Sequence, residues 1–129
     1  MIERLEHVGI GVKDMDKSVA FYRDVVGYQV FSERPMTAPN SKIKKLVFMR
    51  QGDDIIELLH MPDGYPGVER YESLGTSHIC FAVQGIQAEI DRWAALGVPQ
   101  VVPATPTADG GMRAAFSGPD GEYIELKGK

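Results

Sequence analysis

The chain has one cysteine, Cys80, in 129 residues, so no intrachain disulfide can form and a reducing compartment is expected. The neighbours of Cys80 are apolar, and the expectation is an inert, buried thiol. No stretch of 18 apolar residues occurs, which excludes a conventional membrane-spanning helix. The opening MIERLEH carries charges where a secretory leader needs an apolar core, so a soluble, cytoplasmic protein with no membrane partner is expected. Charge of one sign is also scarce in runs. With 14 Lys plus Arg against 18 Asp plus Glu, and no basic cluster longer than the patch Lys42 to Lys45, a nucleic-acid partner is not expected. Low-complexity tracts are absent. A hydrophobic share of 43% and a charged share of 25% are ordinary for a globular chain, and the length suits one domain, residues 1–129.

Two copies of one pattern are present. EHVGIGV (Glu6 to Val12) alternates as a strand does. Asp14 or Asp16 then offers an N-cap to a helix carrying Met15, Val19, Tyr22 and Val26, which Gly27 ends. YQVFSE, a loop with Pro35 and Pro39, KLVFMR, a Gly-Asp turn and DIIELLH follow, giving strand, helix and three strands. The second half repeats the order: SHICFAV, a helical pattern on Ile86, Ile90, Trp93 and Leu96 stopped by Gly97, then QVVPA, MRAAFS and EYIELKG. His7 and His78, Gly27 and Gly97, and Glu57 and Glu125 are each separated by about 70 residues. The expected division is a first module of about residues 1–60, a linker at 61–76 read from MPDGYPGVERYESLGT, and a second module of about 77–129. One half alone would expose an apolar sheet face, so both are expected to form one structure.

Alternate strand residues point to opposite faces. His7, Gly9 and Gly11 therefore share one face of the first strand, and His78, Cys80 and Ala82 one face of the fifth; the bulky residues between them face the helices. The histidines thus sit among small side chains, which leaves room for a ligand. Glu57 lies in an aliphatic strand with Ile55 and Leu59 on its face, and Glu125 with Tyr123 and Lys127. A lone strand-initial His more often stays structural, and a lone strand Glu more often faces water. The matched pairs alter that balance, because two inward carboxylates without a cation carry a desolvation cost that a metal removes. His7, Glu57, His78 and Glu125 then form a neutral set for one divalent ion. His60 has the opposite parity to Glu57 and is expected not to ligate.

HVGIGV with FYRDVVGY, SHICFAV and the ending GPDGEYIEL resemble the vicinal oxygen chelate superfamily, which includes glyoxalases, bleomycin-resistance proteins and dioxygenases, over essentially the whole chain. The resemblance implies an α+β fold of two paired βαβββ modules, their curled mixed sheets surrounding a metal cleft commonly completed in a homodimer. It implies a glyoxalase I-like isomerase or lyase acting on a small 2-oxo or 2-hydroxy carbonyl substrate, by proton transfer through an enediolate held on the metal. His7, Glu57, His78 and Glu125 match the family's metal positions, for Zn, Ni, Co, Mn or Fe(II), with Glu125 as the proton-moving base and Glu57 as the second candidate. The positions that usually hold glutathione in bacterial glyoxalase I proteins, an Arg and an Asn, are here Gly11 and Met61. Methylmalonyl-CoA epimerase-like, dioxygenase or fosfomycin-modifying enzymes, and a metal-free small-molecule-binding protein of the bleomycin-resistance type, are the alternatives. Arg34, Lys44, Lys45, Arg70 and Arg113 are cations able to hold an anionic substrate, though surface solubility is the commoner use of such residues.

Overall fold

The computed structural model describes residues 1–65 and 74–129. The chain divides into two compact units, Met1–Tyr65 and Pro66–Lys129. Half of the linker read from the sequence, residues 66–73 with Arg70, lies outside the described residues.

In the first unit β1 (Val8–Val12) leads to α1 (Met15–Ala20), a π-helical turn (Phe21–Val26), β2 (Gln29–Pro35), β3 (Lys45–Gln51) and β4 (Asp54–His60). Asp14 caps α1, its carboxylate accepting from the Lys17 N–H at 3.0 Å. The sequence pattern reads as one uniform helix, but its second half is wound more loosely. Gly27 ends it in the left-handed region, φ 99°. The strands form one sheet in the order β1-β4-β3-β2, parallel between β1 and β4 and antiparallel elsewhere. Ile10, Val12, Met49, Ile56 and Leu58 are buried with Met15, Tyr22 and Val25 of the helical segment, so the bulky strand face does pack on the helix. β2 is an exposed edge strand running on to Pro35, a residue expected in the following loop; an edge tolerates proline's missing N–H.

The second unit repeats the plan with β5 (Ile79–Val83), α2 (Ile86–Ala95), β6 (Gln100–Pro106), β7 (Met112–Ser117) and β8 (Tyr123–Gly128), in the order β5-β8-β7-β6. α2 packs on β7 and β8 through buried Ile86, Ile90 and Trp93, with Phe116, Ile124 and Leu126 beneath. Full burial of an aliphatic or aromatic side chain contributes about 1.5–3 kcal/mol. Gly97 ends the helical segment, as Gly27 does in the first unit.

Glu89 is half-buried beside Trp93. The indole Nε1–H donates to its carboxylate at 2.9 Å and Arg92 donates through Nε at 3.1 Å. The Arg92 guanidinium, with the indole assisting against burial, holds the Glu89 carboxyl below its ordinary value. A depressed folded-state pKa gives stability that is complete above the unfolded value and lost as pH falls through the folded one. Trp93 is the chain's sole tryptophan, so its fluorescence is expected to titrate at a pH below the usual glutamate range and to lose that step in Glu89→Gln. A step in the ordinary glutamate range would contradict the pairing.

Candidate functional site

Both histidines immediately precede their strands, since β1 begins at Val8 and β5 at Ile79. In the first unit the pairing of β1 with β4 sets Gly9 opposite Glu57, and β3 sets Phe48 on the other side of Glu57. His7 reaches across the space above Gly9, and its Nε2 lies 2.9 Å from Glu57 Oε2. Glu6 holds the other ring nitrogen, Nδ1. Flanked by two carboxylates, the imidazole has its pKa raised, chiefly by the Glu6 hydrogen bond and further by Glu57, with burial opposing. As a metal ligand the imidazole would bind through an unprotonated Nε2. His7 and Glu57 are thus brought together, at a separation that lets both act as donors to one ion.

The expected room beside the histidine is partly filled. Met61 Cε occupies the space a β-carbon at residue 11 would need, and Leu59 Cδ1 lies 3.2 Å from where a β-carbon at residue 9 would sit. Gly11 and Met61, the two departures from the glutathione-holding pattern, therefore touch one another. A long cationic side chain at residue 11 would need Met61 to move.

In the second unit Glu125 is buried, between Cys80 of β5 and Ala115 of β7 in the strand register. Arg113, diagonal to it on β7, donates through Nη1 to Glu125 Oε2 at 3.0 Å. The Cys80 thiol is 3.6 Å from Glu125 Oε1 as a weak donor. Cys80 is exposed on this sheet face, so the expected buried, inert thiol is corrected: the apolar neighbours in sequence point to the opposite face. Partial burial first, and then the Glu125 charge, push its pKa up. His78 is exposed; its ring meets the Tyr123 ring edge-on at 5.9 Å, and Ser77 Oγ lies 2.7 Å from Nδ1.

The two carboxylates are therefore not alike. Glu57 faces an imidazole with Gly9 beside it, and Glu125 faces a guanidinium with Cys80 in the corresponding place. Each carboxylate meets a basic side chain, an imidazole for Glu57 and a guanidinium for Glu125, which offsets the desolvation cost of turning a carboxylate inward. Among the described residues no three His, Cys, Asp or Glu side chains already stand as a metal cluster. The imidazole and carboxylate donors suit a divalent ion of the Zn, Ni, Co, Mn or Fe(II) group. His60, last in β4, accepts from the Lys44 N–H through its backbone oxygen at 2.8 Å.

Beyond Cys80 the second unit opens into a cavity of about 540 Å³, lined by Cys80, Ala82, Gly85, Asp109, Lys127 and Lys129. That volume suits a small molecule. Lys127 Nζ is 2.8 Å from Asp109 Oδ2, and this contact first, then Thr107 and the Gly111 N–H, holds the Asp109 carboxyl well below its usual range. Of the other cations, Lys45 is 3.5 Å from Glu33 and Arg34 lies over the Phe48 ring. Sequence reasoning treated Arg113 as one cation among several. Its diagonal relation to Glu125 follows only from the β7-β8 register.

A profile of the Glyoxalase/Bleomycin resistance protein/Dioxygenase superfamily matches residues 4–126. The mitochondrial methylmalonyl-CoA epimerase of Mus musculus is 34% identical over 92 residues, covering 67% of this chain and 49% of that protein. The chain thus spans about half the length of that relative. A probable lactoylglutathione lyase of Vibrio parahaemolyticus is 34% identical over 131 residues, covering 95% of this chain and 88% of the other. Among solved structures, a mutant of the fosfomycin resistance protein FosX from Listeria monocytogenes, in complex with Mn(II) and 1S,2S-dihydroxypropylphosphonic acid, is similar with a TM-score of 0.75 and 25% identity. The match covers 98% of this chain and 92% of that one.

Proposed function

The chain belongs to the glyoxalase/bleomycin resistance protein/dioxygenase superfamily, and from that premise we propose that it is a metal-dependent isomerase or lyase of the glyoxalase I type. Its substrate is a small 2-oxo or 2-hydroxy carbonyl compound, and His7, Glu57, His78 and Glu125 supply the donors for one divalent ion. The observation carrying this reading is the 2.9 Å approach of His7 Nε2 to Glu57 Oε2 on the small-residue face, with a buried Glu125 at the matching place in the second unit. When bound, a divalent ion polarises a carbonyl and stabilises negative charge developing on its oxygen.

The remaining work falls to the chain's own side chains. Arg113 engages Oε2 of Glu125, so the proton taken from substrate carbon is carried on Oε1, which the Cys80 thiol meets as a weak donor. The same oxygen returns the proton to the adjacent carbon while the substrate hydroxyl proton passes to the former carbonyl oxygen, which balances the isomerisation. Gly11 and Met61 argue for a substrate other than a glutathione adduct, because Met61 fills the position from which a cation would reach it.

Likeness to methylmalonyl-CoA epimerase supports a second reading, in which Glu125 keeps the abstracted proton and a protonated Glu57 delivers a different one to the other side of the same carbon, inverting it. Both readings share one step, removal of a proton from the carbon beside a carbonyl group. Proton NMR of hydroxyacetone or dihydroxyacetone in D2O, with protein and added Mn, Ni or Zn, tests it. Metal-dependent loss of the C–H signal that stops with chelator is expected. Absence of exchange with every metal, and likewise with methylmalonyl-CoA, would overturn both readings.

A further inference from the structure

In the first unit, one row of residues crosses the whole sheet from the His7–Glu57 pair outward. Gly9 on β1 stands opposite Glu57 on β4, Glu57 opposite Phe48 on β3, and Phe48 opposite Ser32 on β2. Between Val30 and Ser32 the register slips by one residue, and Phe31 is the extra one. Such a bulge re-aims a side chain. Here it brings the Phe31 ring to 6.1 Å from that of Phe48, which itself meets the His7 ring edge-on at 6.4 Å.

Two guanidiniums lie on these rings. Arg34 Cζ is 5.0 Å from the centre of Phe48 and Arg50 Cζ is 5.1 Å from the centre of Phe31. Neither has a carboxylate within ion-pairing distance among the described residues, whereas Arg23, Arg92 and Arg113 each have one. A guanidinium stacked on an aromatic face is held flat while its N–H edge stays open to a planar or tetrahedral oxyanion. Phe31 is 43% exposed, so the row also offers bare apolar surface beside those edges. Aromatic shelf, open cations and a candidate metal pair thus share one face of one sheet.

We propose that Arg34, Arg50, Phe31 and Phe48 form the binding site for the oxyanion end and apolar body of an acidic small molecule. Its other end lies toward His7 and Glu57, a placement that rests on the function proposed above. Glu57 and Arg34 are two strand spacings apart, so the anion sits roughly 10 Å from Glu57. A carboxylate and a phosphonate both satisfy the two guanidiniums, and the pairing of an anion with an apolar spacer distinguishes this ligand from a bare small carbonyl compound.

Isothermal titration of chelator-treated protein with 4-phenylbutyrate, 4-phenylbutylphosphonate and the neutral 4-phenylbutanamide tests the site without metal or turnover. At least one acid is expected to bind about tenfold tighter than the amide, the tighter of the two naming the head group. Arg34→Gln and Arg50→Gln should each weaken the acid by about tenfold and leave the amide unchanged. Both arginines are exposed, so the melting temperature should stay at the wild-type value and serve as the folding control. Phe48→Leu should weaken all three probes. The titration uses chelator-treated protein, so a protein that takes up no metal yet shows this pattern keeps the anion site and loses only the catalytic reading. Equal binding of acid and amide, no saturable binding of any probe, or unchanged acid affinity in both arginine variants would overturn the proposal.

Discussion

Gly128→Ala is expected to destabilise the second unit strongly. Gly128 stands opposite Val83 of β5 and Met112 of β7, and a β-carbon there would press into the Val83 backbone carbonyl, closer than real β-carbons approach. The obstacle is backbone rather than the flexible end of a side chain, so β5 and β8 have to separate at that point. Their parallel pairing is also what places Cys80 beside Glu125. Overpacking a well-fitted site costs about 1–3 kcal/mol and more where backbone must shift, so a loss of about 3 kcal/mol or more is expected. That corresponds to a fall in Tm of roughly 10–15 °C for a chain of this size. Thermal unfolding followed by circular dichroism and Trp93 fluorescence checks it, with Gly11→Ala as the contrast. There the colliding atom is the tip of Met61, which can swing aside, so the loss should stay near 1 kcal/mol or below. Equal melting temperatures for Gly128→Ala and wild type would show that the ladder end adapts freely.

Glu125→Gln is expected to remove most of the proton exchange while leaving the fold in place. The amide keeps the shape of the carboxylate, and its oxygen still accepts from Arg113, but it cannot take up a proton at neutral pH. Loss of a positioned acid-base group lowers the rate by about 10²–10⁴-fold. Because Glu125 is also a proposed metal donor, the variant's metal content must be measured alongside. A variant that keeps its ion and loses exchange assigns the base to Glu125. One that keeps both ion and exchange would move that role to Glu57.

The plan of the fold is written in local signals. Gly27 and Gly97 end the helices because the left-handed conformation they adopt disfavours a side chain, and the alternation in VGIGV and ICFAV already names the face on which helices pack. The repeat made Glu57 and Glu125 stand out, since a carboxylate inside an aliphatic strand is unusual once and informative twice. What the sequence could not supply is anything that depends on register. Arg113 meets Glu125 diagonally across two strands, and Phe31 meets Phe48 because of a bulge; no local pattern encodes either contact. Cys80 was misjudged for a related reason, because apolar neighbours along a strand belong to the other face. The filling of the space above Gly11 by Met61 needs the return of the chain after β4, where the Met61 N–H donates to the Val12 carbonyl at 2.8 Å.

Metal content per chain is the measurement that bears most directly on the proposed site. Protein purified without chelator, and protein dialysed against Mn, Ni or Zn, would be analysed for bound metal beside His7→Ala and Glu57→Gln. About one divalent ion per chain is expected in the parent, reduced at least tenfold in occupancy-corrected affinity in both variants. A parent protein that takes up none of these ions, or one whose uptake is unchanged by either substitution, would contradict a metal site on His7 and Glu57.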